Sequence, residues 1–185
     1  MLVLASASPR RQELLRNAGI PFEVQPAHVP EDPLPGESAN DCAERLAREK
    51  ALAVAKQRPQ DAVLGADTVV VVDGQILGKP TDAADAARML RMLSGREHQV
   101  ITGVCLVASG QWSVASETTT VTMSEITEKE IADYVATGEP TDKAGAYAIQ
   151  GIASRWIPRI AGDYGNVVGL PVALLWRMLR GYGLD

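Results

Sequence analysis

VLGADTVVVVDGQILGKP, residues 63–80, decides what kind of sheet this chain builds. The run from Val63 to Val72 is apolar and rich in β-branched residues, and reads as a long buried strand. Asp73-Gly74 is a hairpin signal, because a two-residue turn of this kind needs positive φ at both positions. A short strand then returns beside the first as an antiparallel partner. Upstream, Ser38 caps a helix running to about Gln57, with Asp41 three residues on completing a capping-box-like pattern. A helix enters one end of the strand and a hairpin leaves the other. That mixture implies an α/β fold with a mixed rather than wholly parallel sheet.

The same alternation extends in both directions. Leu2–Ala5 reads as a buried strand leading into a helix over about 9–18, stopped by Gly19, and FEVQ (22–25) as a second strand. Residues 26–37 form a Pro- and Gly-rich loop. DAADAARMLRML (82–93) is helical, and 97–108 and 112–123 are long strands around a Ser109-Gly110 turn. Thr127 and Glu130 bracket a further capped helix ending near Gly138. DKAGAYAIQG (142–151) is irregular, SRWIPRIAG (154–162) reads as a strand, and PVALLWRML (171–179) as a closing helix. No period repeats and no linker divides the chain, so residues 1–185 are expected to form one domain.

Asp67 stands out within the opening stretch. It alternates onto the same face as Val63, Val69 and Val71, where a carboxylate is costly unless paired, hydrogen-bonded or bound to a metal. A structural ion pair or a strand end opening onto solvent would explain it, as would a general base or metal ligand in a cleft. Lys50 is similar, because Ala39, Ala43, Leu46 and Ala53 mark the inward stripe of its helix and position 50 belongs to that series. Snorkelling along its alkyl stem is the plain alternative.

ASASPRR (5–11) raises a question of charge. Ser8 suits an N-cap and Pro9 the first helical position, but Arg10 and Arg11 then fall where the helix already carries partial positive charge. An anion would offset that repulsion, and free N–H groups, a hydroxyl and two guanidinium forks suit a phosphate. A solvated turn with arginines paired to surface carboxylates is the alternative. GQILGKP (74–80) is not a Walker loop, because three residues rather than four separate its glycines and Pro80 follows the lysine. Lys79 still sits at the end of a strand beside that of Asp67, either as a solvated hairpin-end lysine or at the same cleft.

Composition removes several classes. A net charge of −5 argues against a general nucleic-acid binder. No apolar run reaches the roughly 18 residues that span a bilayer, and no secretory leader is visible. Cys42 and Cys105 lack ligand spacing, which disfavours a disulfide or zinc framework and suits a reducing cytoplasmic setting. His28 and His98 have no ligand spacing to each other, and Glu31 and Asp32 are loop acids that could serve a metal. Trp112, Trp156 and Trp176 are expected in the core or at an interface. GxGxxG, GxSxG and HExxH are all missing.

These residues lie in motifs that resemble the Maf family of nucleoside triphosphate pyrophosphatases. The resemblance covers nearly the whole chain: LASASPRRQELL at the start, RLAREKA ending at Ala51, LGADTVV (64–70) and ILGKPTD (76–82). It continues through MLSGREHQVITGV (92–104), GEPTDKAGAYAIQG (138–151) and NVVGLP (166–171). It implies an elongated two-lobed fold with a central cleft, related to the house-cleaning inosine triphosphate pyrophosphatases. It further implies hydrolysis between the α and β phosphates with a divalent metal, Mg²⁺ or Mn²⁺, in a homodimer.

By the same resemblance, Ser8, Arg10, Arg11, Lys50 and Lys79 hold phosphates and Asp67 is catalytic. Asp67 and Glu31 would hold the metal. Arg10, Thr68 and Gln150 resemble the specificity set of the branch acting on dTTP and UTP, whereas the 7-methyl-GTP branch typically carries glutamate where Gln150 stands. A neutral amide offers a donor and an acceptor to a pyrimidine edge; a carboxylate suits the cationic methylated guanine. A pyrophosphatase of 7-methyl-GTP or of a modified pyrimidine nucleotide, and a nucleotide-binding regulator of cell division or septation, are the alternatives.

Overall fold

Ser8, Ser38, Asp82 and Thr127 each cap a helix in the computed structural model, which describes residues 1–184. Their side chains accept from the backbone N–H of Arg11, Asp41, Asp85 and Glu130, so each satisfies a donor the helix itself cannot. The helices they open are α1 (Pro9–Asn17), α2 (Ala39–Ala55), α3 (Ala83–Leu93) and α4 (Glu128–Ala136). Two more follow, α5 (Tyr164–Val168) and α6 (Val172–Gly181). The strands are β1 (Leu2–Leu4), β2 (Glu23–Val24), β3 (Ala62–Val72), β4 (Gln75–Leu77), β5 (Glu97–Ala108), β6 (Gln111–Thr122) and β7 (Arg159–Ala161). They form one mixed sheet in the order β2-β1-β3-β5-β6-β7, with β4 paired to β3.

The chain divides into two compact units. The first holds residues 1–68, 102–117 and the chain from 169 on; the second holds 69–101 and 118–168. In the first, β1 pairs in parallel with both β2 and β3, in the register Leu4↔Val24 and Leu4↔Leu64. Side-chain alternation along β1 and β3 then sends residues to two separate cores. Leu2, Leu4, Leu64 and Ala66 pack with Leu15 of α1 and with Leu174, Leu175 and Leu179 of α6. Val3, Ala5 and Val63 pack with Ala47, Ala51 and Val54 of α2. Both faces of these strands are therefore covered by helices, which is why their sequence is apolar without alternation.

In the second unit, β4 runs antiparallel to β3 and β7 antiparallel to β6. The β3–β4 turn has φ of +50° at Asp73 and +74° at Gly74, as the Asp-Gly signal predicts. α3 and α4 pack together, and short 3-10 turns carry the chain through 139–156.

One expectation needs correction. The strand expected over 154–162 shrinks to Arg159–Ala161, and Ile152–Trp156 forms a 3-10 turn instead. Pro158 has no N–H to give a sheet, so pairing begins only after it. α5 lies between β7 and α6. Trp156 is buried in the core, and Trp112 and Trp176 are 47% and 42% exposed. Cys42 and Cys105 are free and buried.

Candidate active site

The chain order β1-α1-β2-α2-β3 maps onto the spatial order β2-β1-β3, so the path reverses direction beside β1. α1 covers one face and α2 the other. The carboxyl end of β1 is thus a topological switch point, where open α/β sheets leave a crevice for ligands. Residues 5–8 leave β1 at that point and start α1. β3 runs past the end of β1 and carries Asp67 and Thr68 there.

Neighbouring residues on a strand face opposite ways, and here that difference divides the work. Asp67 faces α2. Its Oδ1 accepts from Lys50 Nζ at 2.6 Å, and Lys50 Nζ also lies 2.7 Å from Glu31 Oε1. Lys50 and Asp67 retain only 8% and 11% of their side-chain exposure, while Glu31 keeps 48%. The inward lysine is therefore not snorkelling. Its ammonium lies between two carboxylates, one buried and one at the surface.

Gly65 makes that contact reachable. A Cβ on Gly65 would lie 2.1 Å from the Ala47 carbonyl oxygen, and one on Gly103 of β5 would lie 2.3 Å from that of Ala43. Two glycines on adjacent strands let α2 rest on the sheet backbone itself. Ala47 is one turn before Lys50, and Gly65 is two residues before Asp67 on the same face. Close seating at the first pair brings the second pair together.

Thr68 faces α1. Its Oγ1 accepts from Arg11 Nη2 at 3.1 Å and lies 2.9 Å from Thr102 Oγ1. The Arg11 guanidinium also donates from Nε to the Gly169 carbonyl at 2.7 Å and from Nη1 to Ser6 Oγ at 3.1 Å. Burial lowers the pKa of this guanidinium, the Asp67 carboxylate opposes that shift, and Arg10 adds to it. It stays charged at any ordinary pH. α1 has no acidic residue in its first turn, as its sequence indicates. Thr102, Gly169 and Gly65 are not visible in the sequence, because each acts through a contact distant in the chain; Ser6 lies only five residues from Arg11 but is overshadowed there by the cap Ser8.

Ser8 caps α1, accepting from Arg11 N at 3.4 Å, and Arg10 follows half-buried in the first turn. Glu31, Lys50, Asp67, Thr68, Ser8, Arg10 and Arg11 all belong to the first unit. Lys79 and Gln150 belong to the second and are both exposed. Lys79 follows β4, and Gln150 sits in the turn before the 152–156 segment. Their segments are joined by Gly145 N donating to Gly78 O at 3.1 Å.

No three His, Cys, Asp or Glu residues among those described gather into a metal cage. Asp67 and Glu31 nevertheless converge on one position now filled by an ammonium, and carboxylate oxygens suit Mg²⁺ and Mn²⁺. Mg²⁺ commonly takes one or two carboxylates and completes its shell with substrate phosphates and water. The donor set fits such an ion.

The family model described as Maf-like protein matches residues 1–182. The chain belongs to the Maf family. Maf relatives named dTTP/UTP pyrophosphatase include one from Koribacter versatilis, 60% identical over 99% of this chain and 95% of its own. Another, from Symbiobacterium thermophilum, is 54% identical over 98% and 94%. A third, from Bacillus cereus, is 47% identical over 100% and 96%. Among solved structures, the Staphylococcus aureus Ham1 protein matches with a TM-score of 0.51 at 13% identity, over 98% of both chains. At that identity the likeness concerns the fold alone, and it agrees with the mixed α/β architecture described above.

Proposed function

We propose that this Maf protein is a nucleoside triphosphate pyrophosphatase that hydrolyses dTTP and UTP to the monophosphate and pyrophosphate. The observation that carries the reading is the Glu31–Lys50–Asp67 arrangement beside the arginine-bearing start of α1. Acidic groups that can hold a divalent cation lie next to a cationic helix terminus that suits phosphate.

Water attacks the α phosphorus, the bond from that phosphorus to the bridging oxygen breaks, and pyrophosphate departs with the bond electrons. Asp67 accepts the proton of the attacking water. A bound divalent cation, held by Asp67 and Glu31, would supply electrophilic activation of the phosphates. Lys50 holds the two carboxylates together where no cation is bound, and with a cation between them its ammonium would turn to a phosphate oxygen. Ser8, Arg10, Arg11 and Lys79 bind phosphate oxygens and offset the charge that builds on the leaving group, Arg11 through the guanidinium N–H groups not used on Gly169, Ser6 and Thr68. Arg10, Thr68 and Gln150 select the base. Two free buried cysteines suit a reducing cytoplasm, and no helix among the described residues is long and apolar enough to cross a membrane. The homodimer belongs to the same proposal and is read by sedimentation equilibrium.

The test is a panel of nucleoside triphosphates with Mg²⁺ and Mn²⁺, scored for pyrophosphate release. Preferred turnover of dTTP and UTP, with pyrophosphate and not orthophosphate as product, is the expected result. Orthophosphate as first product, or faster turnover of 7-methyl-GTP, would overturn it.

A further inference from the structure

The segment bearing Gln150 is held by side chains that carry no part of the proposed chemistry. The Glu139 carboxylate accepts from Ile152 N through both oxygens, at 3.3 and 3.2 Å. The same carboxylate fills the space beside Gly151, where a Cβ would lie 2.1 Å from Glu139 Oε1. On the other side of Gln150, Ala148 N donates to the phenol oxygen of Tyr134 at 3.2 Å. Tyr134 is fully buried on α4 and packs edge-on against Trp156, with ring centroids 5.3 Å apart. Burial pushes its phenol up, and a hydrogen bond to Glu139 pushes it further in the same direction.

Two anchors thus bracket Gln150, one on Ala148 and one on Ile152, and they are linked through Tyr134 and Glu139. A third sits just upstream, where the Tyr147 hydroxyl lies 2.6 Å from Nε2 of buried His98. The turn itself closes with Gly151 N donating to Ala148 O at 3.1 Å. Gln150 is left exposed on a turn whose two flanks are fixed. An amide discriminates between bases only if its donor and acceptor are held in place, because a swinging amide satisfies several edges equally.

We propose that Glu139, acting with Tyr134, is a positioning residue for base selection: it holds the 148–152 turn so that Gln150 presents its amide in one orientation. This rests on Gln150 serving base selection, as proposed above. Neither Glu139 nor Tyr134 touches the reacting atoms. Their loss is expected to fall on KM and on the preference among bases rather than on kcat.

The experiment measures kcat and KM for dTTP, UTP and 7-methyl-GTP in the wild type, Glu139→Ala, Glu139→Gln, Tyr134→Phe, Gln150→Ala and the Glu139→Ala/Gln150→Ala double variant. Glu139→Ala is expected to raise KM for dTTP and UTP about tenfold and narrow their preference over 7-methyl-GTP, with kcat nearly unchanged. Glu139→Gln, which keeps an acceptor for Ile152 N, should restore most of the preference. In the Gln150→Ala background, Glu139→Ala should change the preference no further, since nothing remains to position. If Gln150→Ala narrows the preference and Glu139→Ala does not, the positioning role is overturned and the role of Gln150 stands. If Gln150→Ala leaves the preference intact, the base-selection reading itself falls and takes this inference with it. Additive losses in the double variant would mean a general structural role and would also overturn it. Thermal unfolding of each variant checks folding; if Glu139→Ala does not fold, Tyr134→Phe, which removes the acceptor for Ala148 N, is read by the same comparison and should likewise narrow the preference.

Discussion

Lys50 Nζ lies 2.6 Å from Asp67 Oδ1, and both side chains are almost wholly removed from solvent. A buried ion pair is weak evidence for stability, because desolvation offsets most of the attraction. Its placement at the switch point of an α/β sheet, with Glu31 on the same ammonium, points to chemistry instead. Asp67→Asn preserves the shape and leaves Lys50 paired to Glu31, while removing the proposed proton acceptor. Turnover should fall by roughly 10²- to 10⁴-fold with the circular dichroism spectrum unchanged. Pyrophosphate release under saturating substrate measures it, and near-normal turnover would remove Asp67 from the catalytic role.

Gly65 tests how the site is assembled. A methyl group there would overlap the Ala47 carbonyl, a backbone atom that no side-chain rotation can relieve. Gly65→Ala should cost about 1–3 kcal/mol of stability through overpacking. It should also depress kcat, because α2 must move away from β3 and carry Lys50 with it. Urea denaturation with parallel kinetics reads both. A stable variant with full activity would show that the close seating of α2 is not what brings Lys50 to Asp67.

Arg11 differs in kind from Arg10. Its guanidinium holds the Gly169 carbonyl, Ser6 and Thr68 at once, a geometry that a lysine ammonium cannot reproduce. Arg11→Lys should lose roughly 1 kcal/mol for each hydrogen bond not remade, seen as a lower thermal midpoint. Arg10→Lys should keep the midpoint and raise KM for the nucleotide. Equal effects of the two substitutions on stability would contradict the distinction.

These contrasts mark what the sequence could and could not disclose. The caps Ser8, Ser38 and Thr127, the Asp73-Gly74 turn and the apolar run of β3 are local signals, and each was legible. Asp67 and Lys50 were visible as charges on apolar faces, but not as partners, since the contact joins a helix to a strand 17 residues on. The sequence likewise groups Arg10 with Arg11 at a helix start. Only the fold separates them, by bringing Thr68 and Gly169 to the second. The stretch 154–162 misled because Trp156, Ile157 and Ile160 mimic strand content. In the fold only Arg159–Ala161 pairs, against Thr120–Thr122. The Glu139 contact to Ile152 was invisible for the same reason as the Lys50 pair: its meaning lies in where the chain returns.

His98 supplies a prediction about pH. Burial lowers its pKa from 6.5 to about 4, and its Nδ1 is buried without a hydrogen-bond partner among the described residues. The folded state therefore favours the neutral ring, while the unfolded chain takes up a proton near pH 6.5. As the folded pKa is the lower one, the contribution of His98 is intact above about pH 6.5 and is lost as pH falls toward 4. The full loss is about 3 kcal/mol. His98→Gln, neutral at every pH, removes this dependence while keeping a group able to meet the Tyr147 hydroxyl. The difference in unfolding free energy between wild type and variant should be flat from pH 8 to about 7 and then shift steadily against the wild type down to about pH 4. Denaturant titrations at half-unit pH steps measure that difference, and a curve flat through the whole range would show that the ring is protonated as readily in the folded state as in the unfolded one.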